Sequence, residues 1–186
     1  MRNLKIYDIR VIIVAILGLT ILSCNENKTS KTDEKQEHSE MGHNNDHSNH
    51  EGEQTKEVQF KNVETAEAFQ HYIHIKTALV NTDANEAKAG AQMLAKVTEN
   101  KVFKMAVESI INTDDIEAQR KAFAEVTTQM EIMLKGALSS GELYKQYCPM
   151  AFNNSGGYWL SKEKEIRNPY FGDRMLKCGN VAETIQ

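Results

Sequence analysis

The sequence predicts an all-α domain: an antiparallel four-helix bundle followed by an irregular, aromatic- and sulfur-rich C-terminal loop. Three observations predict it. Residues 62–135 hold no proline and a single glycine, Gly90, so nothing there interrupts a helix. Apolar side chains in that stretch recur at spacings of three and four, and short polar clusters divide them into four segments. After Gly141 the chain turns to glycine, proline, aromatics and sulfur.

The four segments follow in order. Residues 63–80 place Phe69, Tyr72, Ile73, Lys76, Leu79 and Val80 on one amphipathic face. Asn81-Thr82-Asp83 breaks the pattern, and Asp83 followed by Glu86 opens a second helix, with Ala87, Ala91, Leu94 and Ala95 inward. Glu99-Asn100 precedes a third over residues 101–111, carrying Val102, Phe103, Ala106, Val107, Ile110 and Ile111. Asp114 with Glu117 marks the fourth, whose stripe of Phe123, Val126, Met130, Met133, Leu134 and Ala137 runs to about residue 138. Short turns between four helices favour an up-down antiparallel arrangement. Met93, Met105, Met130 and Met133 are expected to fill the core. His71 and His74, three residues apart, share a helix face and are possible additional metal ligands.

Residues 1–57 stand apart from this domain. Arg2, Lys5 and Arg10 precede the apolar run 11–22, which ends at Ser23-Cys24. That is a secretory signal over residues 1–23, and Ser23-Cys24 resembles the lipobox of bacterial lipoproteins. Cys24 is the expected lipidation site, against a plain signal peptide or a short uncleaved anchor. The expected address is the bacterial cell envelope: a periplasm-facing lipoprotein, held at the outer membrane by lipid. Residues 25–57 contain one apolar side chain, Met41, and too little burial potential to order themselves. With Cys24 they form a tether whose 33 flexible residues would span roughly 30 Å. His38, Met41, His43, His47 and His50 lie along it, a low-affinity metal antenna or a polar spacer. The folded domain is expected over residues 58–186.

The last 45 residues hold seven of the chain's thirteen aromatics, both prolines and two sulfur pairs, Cys148-Pro149-Met150 and Met175-Leu176-Lys177-Cys178. Thiolate and thioether together suit a soft monovalent ion, Cu(I) or Ag(I). Cys148, Met150, Met175 and Cys178 are therefore candidate ligands, with Gly179 permitting a tight backbone after Cys178. The competing reading is a disulfide, since two cysteines in an oxidising compartment commonly pair. Closing that 31-residue loop would contribute about 3–4 kcal/mol in the chain-entropy picture. The residues alone leave the two readings open.

The quoted motifs resemble a family. Tyr72…Lys76-x-Ala78-Leu79, Gln119-Arg120-x-x-Phe123, Tyr147-Cys148-Pro149-Met150-Ala151, Trp159-Leu160-Ser161 and Asn168-Pro169-Tyr170-Phe171-Gly172-x-x-Met175-x-x-Cys178-Gly179 are similar to a bacterial domain of unknown function. That domain occurs in periplasmic or lipoprotein-like chains and on CusB-type heavy-metal efflux adaptors. The resemblance, over about residues 65–185, implies a metal-resistance setting and a possible efflux-system partner. Cys-Pro-Met also resembles the heavy-metal-binding segment of copper efflux proteins, without its Pro-rich, paired-Cys remainder. Only Cys148 and Met150 carry over from it.

Nucleotide loops, HExxH and GxSxG are missing, so an enzyme is not expected. A net charge of −4 argues against a nucleic-acid partner. The leading expectation is a membrane-tethered, extracytoplasmic copper-binding protein that buffers the ion or passes it to efflux. The alternative is a non-catalytic structural or adaptor lipoprotein with a Cys148–Cys178 disulfide and a docking surface of Tyr158, Trp159, Tyr170 and Phe171.

Overall fold

A computed structural model describes residues 57–186. The signal segment, the Cys24 lipidation site and the tether residues His38, Met41, His43, His47 and His50 lie outside the described residues. Strand β1 (Gln59–Phe60) leads into α1 (Val63–Val80), α2 (Ala84–Val97), α3 (Lys101–Ile111) and α4 (Ile116–Leu134). Each helix packs on the next and α4 closes against α1.

Polar residues in the turns start each of these four helices. Asn62 Oδ1 accepts from the Thr65 N–H at 2.8 Å, Asp83 Oδ1 from Glu86 at 2.9 Å, and Asn100 Oδ1 from Val102 and Phe103. Such caps each stabilise a helix by about 1 kcal/mol. At α4 the cap is Asp115, whose carboxylate accepts from Glu117 and Ala118. Asp114, the expected cap, instead pairs with Lys88 at 2.6 Å.

The apolar stripes meet as expected except at their edges: Val102 is 56% exposed, one position outside the buried face of α3 set by Phe103, Val107 and Ile110, and Ile73 and Ile111 are half-buried. Phe69, Tyr72, Ile75 and Leu79 of α1 pack with Leu94, Phe103, Val107, Ile110, Phe123, Val126 and Met130 in one core cluster. Met130 is buried and Met133 partly so, whereas Met93 and Met105 face solvent, 42% and 67% exposed. Those two sit beyond the edge of their helices' buried stripes, where unbranched chains suit water and core alike. Helix α4 stops at Leu134, short of the expected 138, because the chain turns through Gly136 at φ +66°. Strand β2 (Leu138–Ser140) follows and pairs antiparallel with β1.

The C-terminal region is more regular than an aromatic loop. Strand β3 (Leu143–Cys148) lies between β4 (Gly157–Ser161) and β5 (Asn180–Ile185), both antiparallel to it. Tyr144, Gln146 and Cys148 stand opposite Ser161, Trp159 and Gly157 and share a buried face. The sheet escaped detection because that face includes a glutamine and a serine, so no apolar alternation marks it. Residues 162–179 cross this face without strand structure: the Gln146 side-chain amide donates to the carbonyls of Glu163, Lys164 and Glu165.

Sheet and bundle are joined by aromatic packing and buried polar bonds. Ring contacts run from Phe69 through Tyr72, Phe123 and Tyr170 to Trp159, with centroids 5.0–6.3 Å apart. The Tyr72 hydroxyl accepts from the Leu160 N–H at 2.9 Å and bonds Thr127 at 2.9 Å. Lys76 Nζ donates to Ser161 Oγ at 3.2 Å. Arg120, 2% exposed, binds the Pro169 and Leu79 carbonyls, Thr82 Oγ1 and Glu117.

Candidate functional site

The two thiols meet where the sheet ends. Tyr147 pairs with Asn180, so antiparallel register brings Cys148, one residue on, beside the turn that carries Cys178. Cys148 Sγ and Cys178 Sγ are 3.3 Å apart, both as free thiols. A disulfide requires about 2 Å, so small side-chain adjustments separate contact from bond. Cys148 is fully buried and Cys178 half-buried. The hydrogen bond to Cys148 holds the Cys178 thiol above its ordinary range, with burial and then the charge of Cys148 adding to the effect. A raised pKa keeps this sulfur protonated at neutral pH, which disfavours a standing thiolate.

Local backbone chemistry delivers the two sulfurs. Asn168 pins the 168–178 segment: its side chain donates to the Cys178 carbonyl at 2.8 Å and accepts from the Tyr170 N–H at 2.8 Å. The Cys178 N–H closes a tight turn on the Met175 carbonyl at 3.0 Å. Gly179 lies at φ +141°, and a Cβ there would sit 2.7 Å from the Tyr147 carbonyl oxygen and 3.0 Å from the Trp159 ring. Gly172, at φ +56°, passes so close to Arg120 and Thr82 that a Cβ would meet each at 2.7 Å.

The thioethers do not join the thiols in one pocket. Met150, 46% exposed, and Met175 line a cleft of about 510 Å³ whose lining includes neither cysteine. Met150 begins a turn in which Phe152, Asn153 and Asn154 have φ of +53°, +57° and +67°. Asparagine tolerates this left-handed conformation, but for phenylalanine it is uncommon and costs about 1–2 kcal/mol.

The histidines lie elsewhere. His74 Nε2 is 2.8 Å from Glu86 Oε2 on α2, on the side of α1 turned away from Tyr72 and Lys76. Burial, then the neighbouring His74, lowers the pKa of His71, and Glu67 opposes the shift. Among the described residues no group of three or more His, Cys, Asp or Glu is placed to hold a metal ion. No described helix is long and apolar enough to cross a membrane.

Of the four aromatics expected to form a docking surface, Trp159 and Tyr170 belong to the core. Phe171 is half-buried. Tyr158 is 45% exposed and packs on Tyr147 at 4.5 Å, with Lys145 Nζ 4.8 Å above its ring. Large aromatics fill cores as readily as interfaces, and spacing alone does not separate the two. Sequence reasoning also missed the structural weight of Gln146, Lys76 and Arg120. The available signal was a cation in register with an apolar stripe, as at Lys76 between Tyr72 and Leu79.

A family described as Protein of unknown function (DUF3347) matches residues 68–141, from within α1 to just past β2. The match leaves out the sulfur-bearing C-terminal motif and carries no link to efflux adaptors. No curated protein and no solved structure matches the chain.

Proposed function

We propose that this chain is a non-catalytic structural or adaptor lipoprotein of the cell envelope, tethered through Cys24, whose C-terminal sheet is stapled by a Cys148–Cys178 disulfide. The observation that carries this reading is the 3.3 Å contact between the two thiols. Thiol–disulfide exchange with an envelope disulfide donor would form the bond: the two thiols lose two protons and two electrons, and the donor disulfide is reduced to a dithiol. The staple fixes the turn after Met175 to the end of β3. Strand alternation turns Tyr147 and Tyr158 to the sheet face opposite Cys148, where the pair offers an aromatic surface to another envelope protein, the residue type that anchors interfaces. An efflux adaptor is the partner class implied by the resemblance of the C-terminal motif, which lies outside the matched residues 68–141.

A second reading keeps the cysteines reduced and has Cys148, Met150, Met175 and Cys178 buffer Cu(I) for an efflux system. The 3.3 Å thiol pair supports it as a two-sulfur site, whereas the cleft lined by Met150 and Met175 includes neither cysteine. A thiol count on the full chain, isolated from the envelope without reductant and then unfolded, separates the two. The staple predicts that neither Cys148 nor Cys178 titrates until a reductant is added. Both thiols titrating at once would overturn the staple and return the copper reading to the front.

A further inference from the structure

The cleft that holds the two methionines has a chemistry of its own. One wall is the left-handed turn from Met150 to Asn154, the other runs from Tyr170 to Met175, and the first turns of α4 close the end. Its volume of about 510 Å³ falls within the range of small-ligand sites. Phe152, Phe171 and the two thioethers make the walls apolar and adaptable.

The charge in the cleft runs against that of the chain. Arg120, Lys121 and Arg174 line it against one carboxylate, Glu117, whereas the chain as a whole is at −4. Glu117 Oε1 is shared, accepting from Arg120 Nη1 and Arg174 Nη2 at 2.7 Å each. Buried Arg120 spends its other donors on Pro169, Leu79 and Thr82. Lys121 is exposed and makes no ion pair or hydrogen bond among the described residues. The rim thus carries Lys121, which has no ion-pair partner within 4 Å among the described residues, beside Arg174, whose one carboxylate partner Glu117 is shared with Arg120. A bound metal cation would meet repulsion here. A phosphate would have to shed much of its hydration against apolar walls.

We propose that this cleft binds an apolar carboxylate: Lys121 and Arg174 hold the anionic head, and Met150, Phe152, Phe171 and Met175 pack its body. The carboxylate comes either from the C-terminus of an apolar peptide or from a free aliphatic or aromatic acid. The proposal does not depend on whether Cys148 and Cys178 are paired.

The test is calorimetric titration of the full chain with N-acetylphenylalanine, its amide, and a short peptide ending in Leu-Phe with a free or an amidated terminus. Saturable binding of an acid form, with the matching amide weaker by about tenfold, is expected. A peptide that binds more tightly than the small acid identifies a protein terminus as the source; the reverse order identifies a free acid. Lys121→Glu should weaken the acid by about tenfold, since it replaces attraction with repulsion. Its exposure leaves the fold intact, which an unchanged melting temperature verifies. Lys121→Arg should retain binding. Equal binding of acid and amide, no binding of either, or indifference to Lys121→Glu would each overturn the proposal.

Discussion

The helical bundle and the C-terminal sheet are built by different means. Helices α1 to α4 bury contiguous apolar stripes, and each is started by a polar cap in the preceding turn. The region from Leu143 to Ile185 has short strands and a run of 18 residues between β4 and β5 without strand structure, so its apolar side chains form no continuous stripe. It is fastened by directional bonds: Arg120 to Pro169, Tyr72 to Leu160, Lys76 to Ser161, Gln146 to three carbonyls, and the thiol pair. Apolar burial tolerates exchange of one residue for another of similar size, whereas a buried polar bond fails when one partner goes. The bundle should therefore degrade gradually under substitution, and the sheet abruptly.

Substituting Arg120 probes that difference most severely. Arg120→Ala should cost about 3 kcal/mol or more, because it orphans the Pro169 carbonyl, removes one of two donors to the Leu79 carbonyl and leaves Glu117 with Arg174 alone. Limited proteolysis of the full chain should then cut within residues 162–179 before it cuts the helices. Leu94→Ala, in the bundle, should cost about 3 kcal/mol through the cavity it leaves, with no preferential release of the C-terminal region. Equal proteolytic patterns for the two variants would erase the distinction.

Cys178→Ser sharpens it. If the thiols are bonded, the variant should lose about 3–4 kcal/mol in urea unfolding under oxidising conditions and much less in reductant. A loss that ignores reductant would assign the cysteine to packing alone. Smaller still is the cap of α4: Asp115→Ala should cost about 1 kcal/mol, and Asp114→Ala, which breaks only an exposed pair with Lys88, less than about 1 kcal/mol.

The pH dependence divides between the two regions as well. His71 on α1 has a folded pKa below its unfolded 6.5, so the unfolded chain takes up the proton first as acid is added. Its contribution to stability is complete above about 6.5 and declines as the pH falls through the lowered value. His71→Gln should flatten that limb in a chemical-denaturation series. Burial raises Tyr72 and Tyr170, at the seam, above 10.0. Their contribution is intact below 10 and is lost as the pH rises beyond it, when only the unfolded chain ionises readily. Lys76 opposes them, since burial lowers its pKa and deprotonation relieves a buried charge.

The sequence made the bundle legible because a helix stripe is a local signal: Asp83, Asn100, Phe103 and Phe123 announce their elements within a few residues. The sheet depends on partners far apart in the chain, such as Gln146 with Glu163 and Tyr147 with Asn180, which no window over the sequence brings together. Trp159 and Tyr170 show the same limit at the candidate site. Their aromatic character was plain, but whether they face a partner or the core is decided by Tyr72 and Phe123, nearly a hundred and about fifty residues away. For Cys148 and Cys178, softness and compartment favoured metal and disulfide alike, and only the three-dimensional register set thiol against thiol.

Peptide mapping of the protein isolated from its source without reductant, then alkylated and digested, tests the staple most directly. The account predicts one linked species joining the peptides that carry Cys148 and Cys178, which separates on reduction. Recovery of both peptides fully alkylated before any reduction would contradict it.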